Sequence, residues 1–72
     1  GDFAIVVANI QADTLLSLSP ALAGKVRPGG FLLLSGILKE EARGIESAYC
    51  NAGLKPVKTL TEKEWAAVIM KR

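Results

Sequence analysis

Residues 3–8, Phe-Ala-Ile-Val-Val-Ala, make an unbroken apolar run rich in β-branched side chains, and no other stretch limits the architecture of this chain so strongly. A strand with one face in water alternates apolar and polar residues, whereas a run without alternation reads as a strand covered on both faces, as in parallel sheets crossed by helices. It is also far shorter than the roughly 20 residues that span a bilayer. The expectation is a central, parallel strand of an α/β sheet, followed by a helix and a second strand beside the first.

The following residues supply both. Ala12, Leu15, Leu16, Leu18, Leu22 and Val26 recur near helical spacing, with Asp13 placed as a cap. Ser19-Pro20 interrupts that pattern, because proline removes a backbone donor and suits a first turn, so two short helices or one kinked helix are expected. Arg27-Pro28-Gly29-Gly30 reads as a turn, Phe31–Leu34 as the second buried strand, and Ser35-Gly36 as its end. Leu38, Ala42, Ile45, Tyr49 and Ala52 mark one face of a further helix, with Gly53-Leu54 as its glycine stop. Lys55–Leu60 and Trp65–Lys71 then read as an antiparallel hairpin turning through Thr61, Glu62, Lys63 and Glu64, with Pro56 and Lys58 suited to a sheet edge.

Several chemistries are excluded by residue type. The 72 residues contain no His, which removes a Ser/His/Asp triad, a Cys/His pair and a His-ligated metal from this segment. Cys50 is the one cysteine, so no disulfide can form within the chain; a bystander or buried thiol and an intracellular, cytoplasmic setting are favoured. The nine basic residues are spread among acidic ones with net charge +2, a solvated surface and not the basic stripe of a direct nucleic-acid interface. No membrane span is expected. The chain starts at Gly1, read as a boundary and not a natural start.

In open α/β sheets ligands bind beyond the carboxyl ends of the parallel strands. That places a candidate site at Asn9, after the first strand, and at Ser35, Gly36, Ile37 and Leu38, after the second. A glycine-rich turn opening a helix, the usual phosphate cradle, is absent; Gly29-Gly30 precedes a strand instead.

The stretch DFAIVVANI resembles the fourth strand and acceptor motif of the ribosomal protein L-eleven methyltransferase family, PrmA. The resemblance continues through SPALA, RPGG, LLLSGILKEEA, AGLKP and the Trp that opens the last strand, over essentially the whole chain. It implies an α/β fold that is the C-terminal half of a Rossmann-like class I methyltransferase, strands four to seven, ending in an antiparallel hairpin. Residues 1–72 would be one partial domain, with strands one to three and the donor loop absent and the chain inactive alone. The activity implied is S-adenosyl-L-methionine-dependent methylation of amino groups on a ribosomal protein. Asn9 would lie between methyl donor and acceptor amine, touching both, with Ile10, Gly36 and Ile37 as further substrate contacts. The related motif Asn-Pro-Pro-Tyr is replaced here by Asn9-Ile10-Gln11-Ala12. No catalytic nucleophile or metal is implied, because methyl transfer from a sulfonium needs alignment of a neutral amine above all. Alternatives are another class I methyltransferase, acting on a glutamine amide, a nucleobase or a small molecule, or a non-catalytic α/β interaction module. Without its expected neighbour, strand Phe3 to Ala8 would pair with another copy of the chain.

Overall fold

The computed structural model describes residues 1–72. Four strands and three α-helices are arranged as β1 (Phe3–Asn9), α1 (Ala12–Ser17), α2 (Ser19–Lys25), β2 (Val26–Leu38), a 3-10 turn (Lys39–Glu41), α3 (Ala42–Asn51), β3 (Lys55–Glu62) and β4 (Trp65–Lys71). The sheet order is β1-β2-β4-β3. β1 runs parallel to β2, and β4 lies antiparallel between β2 and β3.

One face of the sheet carries the core. Val6, Leu32 and Met70 lie in one cross-strand row, and Ala8, Leu34 and Val68 in the next. Leu32, Leu34, Val68 and Met70 are fully buried beneath Leu15, Ile45 and Tyr49 of the helices, with Val6 and Ala8 packed against them. Each large side chain so buried contributes about 1.5–3 kcal/mol, which makes this helix-covered face the main source of stability.

α3 buries the predicted Ala42, Ile45 and Tyr49, but the first pattern holds only in part: Ala12 and Leu15 are buried, Leu16 and Leu18 are exposed, and Val26 belongs to β2. Pro20 divides α1 from α2, as expected from its missing donor. Asp13 does not cap α1: the N-cap is Gln11, and the Asp13 carboxylate accepts only the N–H of the adjacent Thr14, at 2.9 Å. The third helix begins at Ala42, not Leu38, because Leu38 still belongs to β2. At its end, the Gly53 N–H donates to Cys50 C=O (3.0 Å) and the Leu54 N–H to Tyr49 C=O (3.0 Å). Gly53 takes φ +103°, and Leu54 is buried beneath the turn, the paired bonds and apolar contact of a glycine-stopped helix. Tyr49 links α3 to α1 through its hydroxyl, which donates to Leu15 C=O at 2.7 Å. Burial pushes the pKa of that hydroxyl up to about 12. Cys50 is exposed, so the expected buried thiol is not found.

Two expectations about the sheet are corrected. β1 is an edge strand with its second face bare: Phe3, Ile5 and Val7 are 57%, 66% and 63% exposed. Its apolar run therefore provides for cover that these 72 residues do not supply. β2 is also much longer than Phe31–Leu34, because Arg27–Gly30 and Ser35–Leu38 are both drawn into the sheet. The hairpin turn tightens to Lys63 and Glu64, with Lys63 at φ 55°. β3 is the opposite edge, and its Pro56 and Lys58 occupy the positions expected for one. No helix is long and apolar enough to cross a membrane.

Candidate functional site

The carboxyl ends of β1 and β2 lie side by side, because their parallel pairing continues to the last residue of β1: Ala8 faces Leu34 and Asn9 faces Ser35. Immediately beyond, β2 bulges. Leu34 pairs with Val68 and Ile37 with Ala66, so three steps on β2 match two on β4. Gly36 sits in this bulge at φ +77°, a conformation that costs a residue with a side chain but not glycine. The extra residue shifts the alternation by one, so that Ile37 turns inward as Leu32 and Leu34 do.

The bulge brings Asn9 and Gly36 together. The Asn9 side chain lies over the Gly36 backbone so closely that a Cβ on Gly36 would overlap Asn9 Oδ1 and sit 3.4 Å from Cγ. Asn9 is exposed, and none of the chain's side-chain hydrogen bonds involves its amide. Its carbonyl and its NH₂ group thus have no hydrogen-bond partner within the chain.

Two clefts share Gly36 on their walls. One, of about 320 Å³, is lined by Gln11, Ala12, Asp13, Gly36, Leu38, Glu41 and Trp65. The other, of about 260 Å³, runs between Ser35-Gly36 and the hairpin and also has Trp65 on its wall. The rim between them is braced by two backbone donors: Leu38 N–H reaches Glu41 Oε1 at 2.8 Å, and Lys39 N–H reaches Glu64 C=O at 2.9 Å. Half-exposed Trp65 offers an aromatic face, and Asp13 and Glu41 give the first cleft acidic character. A third cleft, of about 310 Å³, lies away from the strand ends among Ser19, Gly24, Asn51, Ala52 and Arg72. Arg72 is committed there, donating from Nε to Val26 C=O (2.7 Å) and from its guanidinium NH2 to Ala23 C=O (2.5 Å).

Of the residues singled out from sequence, Asn9 and Gly36 are in contact, and Ile10 follows Asn9 at the surface, 36% exposed. Ile37 is set apart. It is fully buried in the core, so its side chain has no surface to offer a substrate. Trp65, Asp13 and Glu41 were not singled out as site residues. The available signal was Trp65 itself, a large aromatic directly after a polar turn, where a strand buried on one face has no need of one.

The family model for ribosomal protein L11 methyltransferase (PrmA) matches residues 1–72. The chain belongs to the PrmA family. It is 43% identical over 70 residues to the ribosomal protein L11 methyltransferase of Chelativorans sp., covering 97% of this chain and 24% of the relative. The enzyme of the same name from Geobacter metallireducens is 41% identical over 69 residues, covering 96% and 23%. A crystal structure of the ribosomal protein L11 methylase from Lactobacillus delbrueckii subsp. bulgaricus superposes with a TM-score of 0.89 at 29% identity, covering all of this chain and 38% of that one. This PrmA chain thus spans about a quarter of the length of the curated relatives it matches.

Proposed function

We propose that this PrmA chain forms the acceptor side of an S-adenosyl-L-methionine-dependent methyltransferase that modifies amino groups of ribosomal protein L11, as the C-terminal half, strands four to seven, of a Rossmann-like domain. The observation that carries the reading is Asn9: an unengaged amide at the carboxyl end of a parallel strand, held against the next strand's bulge beside two clefts. The donor supplies an electrophilic methyl group. Asn9 accepts an N–H of the amine through its carbonyl, which orients the nitrogen lone pair, and positioning of this kind can account for roughly 7–11 kcal/mol of a barrier. A Lys ε-amine, with an ordinary pKa of about 10.4, must reach the site neutral. Ile10 borders the amine beside Asn9, and Trp65 with Asp13 and Glu41 lines a cleft whose acidic character suits an amine-bearing segment.

The reading is tested by grafting residues 1–72 in place of the matching segment of the Chelativorans relative. The chimera is expected to transfer labelled methyl groups from S-adenosyl-L-methionine to ribosomal protein L11. A chimera that folds, binds the donor and leaves that protein unmethylated would contradict the assignment.

The proposal extends to the isolated chain, which has one unpaired β1 edge next to a bare apolar face. Ile5 neighbours Phe31, and Val7 neighbours Leu33, which in turn neighbours Ile69. Such an edge is a template for pairing, and a two-fold antiparallel dimer through β1 satisfies both copies. Sedimentation equilibrium of the 72-residue chain should show concentration-dependent dimers. Val7→Lys, on the bare face, should reduce them while circular dichroism stays native, whereas a charge at half-buried Val6 would strike the core. A folded wild-type monomer at every concentration would rule out this association.

A further inference from the structure

Gly36 is placed at a candidate substrate contact, yet its nearest neighbour is not open cleft but the Asn9 side chain. Resting on the methyltransferase reading, we infer that Gly36 is a positioning residue: its bare Cα forms the seat on which the Asn9 amide lies, and the β2 bulge sets that amide's direction. Three observations converge. A Cβ at Gly36 would occupy the space of Asn9 Oδ1. The register pairs Asn9 with Ser35, so the bulge that holds Gly36 begins directly beside Asn9, whereas the other irregularity of β2, between Val26 and Phe31, lies at the far end of the pairing. The Asn9 side chain is exposed and makes no hydrogen bond within the chain, so contact with the Gly36 backbone is what restricts its rotamer. Asn9 is thereby the group that meets the amine, and Gly36 acts through it.

The sequence contains its own control. Gly29 has φ +82°, close to the +77° of Gly36, but nothing lies within 4 Å of the position its Cβ would take. Ala at Gly29 and Ala at Gly36 therefore carry the same kind of backbone strain, and only the second collides with Asn9.

The experiment is a set of variants in the chimera described above, assayed for methylation of ribosomal protein L11 and for melting temperature. Gly36→Ala is expected to lower kcat at least tenfold with KM for the protein substrate within about twofold, while Gly29→Ala keeps kcat within about twofold at a similar loss of melting temperature. In the Asn9→Ala background the collision is gone, so Gly36→Ala should change the residual kcat less than twofold. If Gly36→Ala fails to fold, the double variant Asn9→Ala/Gly36→Ala should fold and melt with only the loss seen for Gly29→Ala. The inference is overturned if Gly36→Ala affects turnover no more than Gly29→Ala, if its effect is undiminished in the Asn9→Ala background, or if the double variant also fails to fold. Full activity of Asn9→Ala would instead overturn the functional reading beneath it, so the two failures are distinguishable.

Discussion

Titrated with S-adenosyl-L-methionine, the 72-residue chain alone is expected to bind at least a thousandfold more weakly than the chimera that carries the same residues in a complete relative. The reason lies in its two connections from strand to helix. β1 reaches α1 through Ile10 and Gln11, and β2 reaches α3 through Lys39–Glu41, and neither passage contains a glycine. A backbone that is to approach a nucleotide-like donor closely uses glycine at such a turn, so the proposed methyltransferase reading assigns the main donor contacts to residues other than these 72. A thousandfold difference corresponds to about 4 kcal/mol. Calorimetry on both proteins measures it directly, and comparable affinities would mean that the donor is held by the residues described above.

Replacing Asn9 with Ala in the chimera should lower kcat about a hundredfold, equivalent to about 2.7 kcal/mol of lost transition-state stabilisation. Stability should scarcely move, because the side chain is exposed and gives up no internal hydrogen bond. Turnover on ribosomal protein L11 and a thermal melt separate the two effects. An Asn9→Ala chimera with unchanged kcat would remove the residue from the reaction. Asn9→Asp, which keeps an acceptor but adds charge next to a neutral amine, gives a second view of the same contact.

Much of the fold follows from local pattern. The β-branched run from Phe3 announces a parallel strand, Pro20 divides the helices, Gly53-Leu54 stops the third, and Pro56 and Lys58 mark an edge. What local pattern could not give is the identity of a residue's cover. Ile5 and Val7 are suited to burial, but a sequence does not say which atoms bury them, and in this chain one face stays bare. The bulge was hidden for a different reason. Glycine after a strand normally signals its end, yet Gly36 lets β2 bend and continue to Leu38. Because the bulge inverts the alternation, Ile37 could be placed correctly only once the bulge was known. The same geometry decides the site: adjacency of the two strand ends was legible from topology, whereas the contact between Asn9 and Gly36 depends on a backbone angle that no spacing encodes.

The position of β4 bears on how the molecule is assembled during synthesis. β4 is made after β3 but lies between β3 and β2. As the polypeptide emerges, β1 and β2 can pair and α1 to α3 can settle on them, but β3 has no strand to join until Trp65–Lys71 is free of the ribosomal tunnel. β4 is therefore laid down after both of its neighbours, and its pairing with β2 joins residues as far apart as Phe31 and Lys71, a contact that forms slowly. Until then the Leu32 and Leu34 flank of β2 has an unpaired edge, and the nascent chain is open to chaperone capture in the interval before β4 inserts.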